Sequence, residues 1–495
     1  MNRPAEIEAN YYRSYDLDKT LAYYLIFLIL HTFLYCLISN LQNPKIGFLL
    51  LILNSFVFVI LITSYFKKPV YLLYHIVFSI AFQNVLVGLG NTFSDYQTSG
   101  NNIKLLFIYK EVLAGLILMY LYMKFKKHIK WLKFEKVFIL LLLWIGISFV
   151  LPSVANSESK FFYIRSYLIL FVCYFLGRLV YYGMKKTPKK IYTVFKMTIW
   201  LGVISVIFGI IFNSIGRDSH IWQDWFNLKY VLEAKGLDGG DPNWDTPLGP
   251  YMVPRMFSIF FDVITASYFL MVALLCTLFM KKNVPIIFIR VLLFVGLLLT
   301  LGKGALAIFL LTLVWVFFLY VAKIRPRTFV TPLLVFLTIF FLIAYNSGFR
   351  SSAIVHFEGF IQPLINSPTH PLGNGIGSGG VYYAMLEGIP AWEVSSMGTE
   401  SFLGSLIYQL GYPGILLYLI FFIGCIKYLL KFAYKGKIEY NLIVLTGIMF
   451  ALLLVSSFQE ATLGLNYSGI LIIVIGFVVS LLQEREKTEI ANINN

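Results

Sequence analysis

The stretch GALAIFLLTLVWVFFLYVA, from Gly304 to Ala322, contains no charged residue. Its length matches the roughly 20 apolar residues that an α-helix needs to cross the hydrocarbon core of a bilayer. Basic residues flank the stretch on both sides, with Lys303 before it and Lys323, Arg325 and Arg327 after it. The pattern predicts a membrane-spanning helix whose C-terminal end meets a basic loop.

Similar apolar runs recur along the whole chain. Of its 495 residues, 59% are hydrophobic and 13% are charged, whereas soluble chains carry about a quarter charged residues. The mean hydropathy is +0.78. By length and composition we expect about 14 transmembrane helices, over residues 21–39, 46–65, 70–90, 105–123, 137–152, 162–181, 193–213, 257–280, 286–302, 304–322, 330–347, 412–430, 441–458 and 466–483.

Lysine and arginine are concentrated in every second loop between these runs. Because cytoplasmic loops retain positive charge, the alternation predicts an all-α polytopic integral membrane protein with both termini in the cytoplasm. The net charge of +16 is then explained by membrane topology, and no nucleic-acid partner is expected. The cysteines lie inside apolar runs, without the spacing of a metal site or a disulfide framework.

Two of the predicted extracytoplasmic segments are long, and long loops usually carry function. The sequence divides into a cytoplasmic N-terminal segment (1–20), the N-terminal transmembrane helices (21–213), a first long extracytoplasmic loop (214–256), transmembrane helices with an outer basic hairpin (257–347), a second long extracytoplasmic loop with a short interfacial helix (348–411), the C-terminal transmembrane helices (412–483) and a cytoplasmic tail (484–495).

The second long loop contains THPLGNGIGSGG, residues 369–380, in which Gly375, Gly377 and Gly380 have the spacing G-x-G-x-x-G. This spacing marks a dinucleotide-binding loop only where it joins a strand to a helix. No strand is expected before it, and the loop is expected outside the cell, so a nucleotide site is rejected. Two interpretations remain: a flexible turn, or a backbone that passes close to a bulky or anionic ligand.

Charged residues also mark the outer ends of the predicted helices. In GTESFLGSLIYQLGYPGILL, residues 398–417, the apolar spacing predicts a short helix after Ser401, with Glu400 at its N-terminus. Glu400 could merely complement the helix dipole, and Lys303 could be a turn lysine that extends to water. Asp262 is predicted about two turns inside the span 257–280, where a carboxylate is costly and often functional.

In their order along the chain, these pieces resemble the family of O-antigen ligases and Wzy-type polymerases, which make bacterial surface glycans. The resemblance covers about residues 250–430 and depends on Arg255 at the start of a span, the hairpin Lys303-Gly304-Ala305, Arg350, the run His370 to Gly375, Glu400-Ser401, and the run Gln409 to Gly414. The family hairpin commonly has Ser-Arg-Gly, so this chain keeps the cation but not the guanidinium. The ligase branch commonly has His-Asn where this chain has Glu400-Ser401, which favours a polymerase.

The resemblance implies a GT-C-like enzyme of the cytoplasmic (inner) membrane, whose site faces the periplasm or the cell exterior. Such polymerases join oligosaccharide repeat units carried on undecaprenyl diphosphate, which serve as both donor and acceptor. No cofactor or metal is expected. A flippase and a chain-length regulator of the same pathway are the expected partners. The alternatives are an O-antigen ligase, a lipid-linked oligosaccharide flippase and a non-catalytic assembly factor.

The resemblance also implies roles for individual residues. Glu400 would be the base that takes the proton of the attacking hydroxyl. The residues expected to bind substrate or its diphosphate are Arg255, Lys303, Arg350, His370, Gly375, Gly377 and Ser401. Weaker candidates for contact with the substrate are Arg217, His220, Asp262, His356 and Gln409.

Overall fold

A computed structural model describes most of the chain, and the described residues are mostly helical. They are residues 26, 28–31, 33–34, 44–92, 101–150, 153, 155–185, 187–216, 219–234, 244–248, 251–281, 283–326, 328–329, 331, 352–389, 395–435 and 438–493.

Helices account for nearly all of the regular structure in these residues. In chain order they are α1 (Pro44–Lys67), α2 (Val70–Thr92), α3 (Asn101–Phe125), α4 (Val137–Val150), α5 (Ser157–Gly183), α6 (Ile191–Ile215), α7 (Leu228–Ala234), α8 (Val263–Leu278), α9 (Val284–Leu299), α10 (Lys303–Val316), α11 (Ser352–Asn366), α12 (Val381–Leu386), α13 (Phe402–Ala433), α14 (Tyr440–Val455) and α15 (Ile470–Ile493). The strands β1 (Asp245–Leu248) and β2 (Tyr251–Pro254) form an antiparallel hairpin between α7 and α8.

Among the described residues, seven helices are long and apolar enough to cross a membrane. Three shorter apolar helices, α8, α9 and α14, accompany them. The fold is therefore that of an all-α membrane protein, as predicted, but the expected number of about 14 spans is not confirmed. Two of the predicted spans, 21–39 and 330–347, fall largely outside the described residues.

The basic loops and the glycine run lie at opposite ends of the helix bundle. Just after α5, Lys185 pairs with Glu484 at 2.8 Å. Near the start of α5, the hydroxyl of Ser159 donates to the carbonyl oxygen of Gly377 at 2.7 Å. Because α5 has 27 residues, its ends lie about 40 Å apart, close to the thickness of a bilayer with its headgroups. Further pairs beside Glu484 join Lys431 to Glu486, Lys435 to Glu489 and Arg485 to Glu439.

The centre of the bundle is the crossing of α5 and α15, where two glycines allow the backbones to touch. A Cβ on Gly177 would stand 1.9 Å from the carbonyl oxygen of Ile473, and one on Gly476 would stand 2.0 Å from that of Tyr174. Small residues at helix crossings permit this close approach in membranes, where packing rather than hydrophobic burial drives association. The crossing fixes the position of α5 against α15.

One predicted helix start differs from the structure. Helix α8 begins at Val263, and the Asp262 carboxylate caps it by accepting from the amide of Ile264 at 2.9 Å. Asp262 therefore lies at the mouth of the helix and not two turns inside it, because the preceding residues Ser258–Phe260 form a separate turn. The segment 484–495, expected as a tail, continues α15 in helical conformation to Ile493.

Candidate active site

The start of α13 is fixed by a side-chain cap and by its neighbour. The Ser401 hydroxyl accepts from the amide of Gly404 at 2.9 Å and donates to the carbonyl oxygen of Ser457 at 2.7 Å. Ser401 is fully buried. Its placement is that of an N-cap, which satisfies one of the free amides of a helix start. Ser401 thus anchors α13 to the connection after α14.

Glu400, directly before this cap, has a strained backbone. Its φ is +63°, a value that a residue with a Cβ adopts at a cost of about 1–3 kcal/mol. Its carboxylate is about one-third exposed, and Oε2 lies 3.4 Å from Nδ1 of His356, on α11. Strain of this kind persists where the surroundings fix the residue, and it is concentrated at functional sites. The position therefore holds a partly exposed carboxylate beside His356 at this end of the bundle.

The glycine run packs against α13 by backbone contacts. The amides of Asn374 and Gly375 donate to the carbonyl oxygens of Tyr408 and Gln409, at 2.8 and 3.1 Å. Helix α13 is broken at Gly411, whose φ is +64° and whose Cβ, if present, would stand 2.3 Å from the carbonyl oxygen of Pro371. The break lies directly after Gln409 and Leu410, at the point where the glycine run contacts α13. The glycines here permit contact between two parts of the protein itself.

Replacing Gly411 by alanine is expected to destabilise the protein more than replacing Gly388. Both glycines have positive φ, but the space around the Cβ position is open at Gly388 and is filled by backbone atoms at Gly411. The unfavourable backbone conformation costs about 1–3 kcal/mol in either variant, and the clash adds about 1–3 kcal/mol at Gly411 only. Thermal unfolding of both variants in detergent measures the difference. Equal melting temperatures would contradict the close contact.

Gln409 ties the second half of the glycine run to α13. Its side-chain Oε1 accepts from the amide of Gly377 at 2.9 Å, and its Nε2 donates to the carbonyl oxygen of Gly379 at 2.7 Å. Both the side chain and Gly375–Gly380 are buried. Their hydrogen-bonding groups are thus engaged within the protein, so Gln409 positions the loop.

The predicted basic hairpin lies between α9 and α10; one of the three expected cations, Lys303, belongs to it, and a second, Arg255, lies against it. The Arg255 Nε donates to the carbonyl oxygen of Thr300 at 2.8 Å. Lys303 is exposed at the first position of α10, and Gly302 precedes it. Lys303 and Arg255 are both basic side chains, so the hairpin is the basic feature at this end of the bundle.

One segment, the connection Ser456–Glu460 between α14 and the last span, joins the hairpin to the start of α13. At its first end, the amide of Leu403 donates to the carbonyl oxygen of Ser456 at 3.0 Å. At its other end, the Gln459 side chain contacts Gly304, where an added Cβ would stand 2.1 Å from Oε1. Lys303 and Glu400, which are far apart in sequence, therefore flank the same short segment.

This segment contains Glu460, which the sequence analysis did not identify. Its carboxylate accepts from the Tyr163 hydroxyl at 2.7 Å and from the amide of Val381 at 2.9 Å. The pKa of Glu460 is raised from its ordinary value of 4.5 to about 7, chiefly because burial penalises the charged form; the hydrogen bonds from Tyr163 and Val381 oppose the rise, and the negative charge of Glu400 adds to it. The side chain stays partly exposed. A carboxyl group that titrates near neutral pH is well suited to proton transfer.

The sequence carried one weak signal for Glu460. It is an acidic residue in the short connection between two long apolar runs, on the side expected to face outward. No motif or periodicity marks it, because its partners Tyr163 and Val381 come from distant parts of the chain.

The remaining candidates are spread more widely. His370 is exposed at the rim of a cavity of about 240 Å³ between α11 and α13, which Asn366, Asn374 and Tyr408 also line. His220 is exposed and pairs with Asp224 at 2.7 Å, in a turn that packs against α2 and α7. Arg217 and Arg350 lie outside the described residues.

No protein-family model matches the chain, and no curated protein is significantly similar to it.

Proposed function

We propose that the protein is a polymerase that joins undecaprenyl-diphosphate-linked oligosaccharide repeat units at the outer face of the cytoplasmic membrane. The product is a surface polysaccharide such as an O-antigen, a capsule or an exopolysaccharide. A hydroxyl of one unit attacks the anomeric carbon of the other, and the lipid diphosphate leaves. Glu400 takes the hydroxyl proton, and Arg255 and Lys303 stabilise the charge of the leaving diphosphate.

The observation that carries this proposal is the convergence of Glu400 and the basic hairpin on the segment Ser456–Glu460. A carboxylate at one side and cations at the other match the two needs of glycosyl transfer from a diphosphate. The two groups lie at the end of the bundle opposite to Lys185 and the other basic loops. That placement supports an outward-facing site, since basic loops stay in the cytoplasm.

The cavity beside His370 supports a sugar substrate. The described residues that line it include no Asp, Glu, Lys or Arg, and its polar groups are amides, hydroxyls and the imidazole of His370, with the ring of Tyr408 beside them. Such a lining suits a neutral glycan better than a diphosphate. Asn366 on α11 is ten residues from His356, so the cavity lies about 15 Å along that helix from Glu400. A glycan that starts at Glu400 reaches the cavity with its more distant sugars.

Purified protein in liposomes tests the function directly. Supplied with an undecaprenyl-diphosphate-linked repeat unit, the protein is expected to produce glycans of two or more units and to release undecaprenyl diphosphate. Both products are measured, by gel and by thin-layer chromatography. The absence of both from correctly folded protein would contradict the proposal.

A deletion strain separates the main alternatives. Loss of a polymerase leaves single repeat units exported to the outside, whereas loss of a flippase leaves them on the cytoplasmic side. A ligase deletion leaves long polymer that stays on its lipid carrier. Labelling of the accumulated glycan with a membrane-impermeant probe, in intact and in permeabilised cells, and its length on a gel distinguish the three outcomes.

A further inference from the structure

We propose that residues 124–136, which join α3 to α4, bind the headgroups of anionic phospholipids in the leaflet at the basic end of the bundle. This inference does not depend on the proposed polymerase function. It starts from a group of exposed lysines in this lysine-rich segment, namely Lys124, Lys126, Lys127, Lys130, Lys133 and Lys136.

Buried polar contacts hold the backbone of the lysine-rich segment in place. The Glu135 carboxylate is fully buried, pairs with the Arg178 guanidinium on α5 and accepts from the amide of Leu132 at 2.7 Å. The carbonyl oxygen of Lys130 accepts from the side-chain Nε2 of Gln483, on α15, at 2.8 Å. These contacts engage the backbone and the acidic side chain of the segment, and its lysine side chains stay on the surface.

The acidic residues near the lysine-rich segment already have partners outside it. Glu135 pairs with Arg178. The other acidic residues described at this end pair as follows: Glu484 with Lys185 and Lys487, Glu486 with Lys431, Glu489 with Lys435, and Glu439 with Arg485. Within the part of the chain that the structure describes, no ion pair includes a lysine of the segment. Its positive charge is therefore available to an anionic partner.

Membrane topology explains why lysines lie at this end, but it does not explain their distribution within it. Other cations at the same end, such as Lys185 and Lys431, are balanced by acidic residues on α15. The lysine-rich segment instead concentrates unbalanced charge between two helices. Clusters of about four to eight basic residues directly beside a membrane span are typical of sites for anionic lipid headgroups.

Exposed apolar side chains next to the lysines favour a lipid over a soluble anion. Met119 and Met123, near the end of α3, are 64% and 65% exposed. Leu140 and Leu143, near the start of α4, are 54% and 61% exposed. A phospholipid can place its phosphate at the lysines and its acyl chains along these side chains, whereas inorganic phosphate uses only the first of the two surfaces. Lysine side chains suit such a boundary, because their apolar stems lie along apolar surface while the ammonium stays in water.

Lipid titration of the full-length protein in detergent tests the proposal. Phosphatidylglycerol and phosphatidylcholine with identical acyl chains are added separately, and bound lipid is measured by native mass spectrometry. The wild type is expected to bind phosphatidylglycerol about 10-fold more tightly, because several lysines lie within reach of one headgroup.

Two variants with the same change in net charge show whether the cluster itself is responsible. The combination of Lys126→Gln, Lys127→Gln, Lys130→Gln and Lys133→Gln should bring the two affinities within about 2-fold of each other. The control combines Lys67→Gln, Lys68→Gln, Lys281→Gln and Lys323→Gln, which change exposed lysines in three other basic loops. This control should keep the wild-type preference.

The melting temperature in vesicles provides a second measurement. A lipid that binds the folded protein raises its stability, so wild type and control should melt higher in phosphatidylglycerol than in phosphatidylcholine, and the segment variant should not. Equal binding of both lipids by the wild type would overturn the proposal. An equal loss of preference in the two variants would overturn it as well, because net charge alone would then explain the binding. Displacement of phosphatidylglycerol by a similar concentration of inorganic phosphate would show a site for a soluble anion instead.

Discussion

Replacing Glu400 by alanine is expected to slow chain extension by about 10²–10⁴-fold, the usual contribution of a positioned proton acceptor. In a deletion strain, the variant should restore no polymer ladder, although single repeat units are still exported. Membrane levels of variant and wild type, measured by immunoblot, must be equal for the comparison. Glu387→Ala, which removes an exposed carboxylate at the end of α12, is the matched control and should restore a normal ladder.

The backbone of Glu400 allows catalytic loss to be separated from unfolding. Its φ of +63° strains any residue that has a Cβ, and glycine removes this strain. Glu400→Gly should therefore melt at or above the temperature of Glu400→Ala while both variants stay inactive. A normal ladder from Glu400→Ala would show that the residue is only a helix-end charge.

Local sequence signals were sufficient for one part of this site. A serine before an apolar helical pattern predicted the cap at Ser401, and glycines around a lysine predicted the hairpin at Lys303. Both signals lie within a few consecutive residues, so they can be recognised without knowledge of the fold. The approach of the hairpin to Glu400 required the structure, because Ser456–Glu460 supplies the link and lies far from both in sequence.

The glycine run shows the opposite case. The sequence left open whether Gly375 and Gly377 serve a flexible turn or a close approach to a ligand. In the structure, Gly377 contacts the start of α5, where an added Cβ would stand 2.7 Å from the amide nitrogen of Lys160. The loop backbone lies close to another segment of the protein itself, and a pattern of glycines carries no information about what they approach. Binding of substrate by these two glycines stays a prediction.

The start of α8 shows a further limit of prediction from the sequence. Four of the five residues 257–261 are apolar, so the predicted span began at Phe257, although Asp262 is also an N-cap type. The structure turns the chain there, with Phe261 at φ +55°, and begins the helix one residue after Asp262. Apolar character reports burial, whereas a helix start depends on which side chain can cap it.

The largest loss of stability is expected from breaking the buried ion pair between Arg178 and Glu135, at the basic end of the bundle. Both side chains are fully buried. The Arg178 guanidinium also donates to Ser480 and Gln483, at 2.7 Å each, which connects α5 to α15. The Tyr174 hydroxyl donates to Glu135 at 2.7 Å. The pair thus stabilises the crossing of α5 and α15, and Tyr163 lies on α5.

Arg178→Met is expected to lower the free energy of unfolding by about 3–5 kcal/mol, because it leaves the Glu135 charge buried without a partner. Replacing both residues, as Arg178→Met with Glu135→Gln, should recover much of the loss, since no unpaired charge remains. Arg485→Ala breaks an exposed pair with Glu439 and should cost less than about 1 kcal/mol. Denaturant or thermal unfolding in detergent measures all three. A single Arg178→Met variant as stable as Arg485→Ala would show that the buried pair adds nothing, and the crossing would then depend on the Gly177 and Gly476 contacts alone.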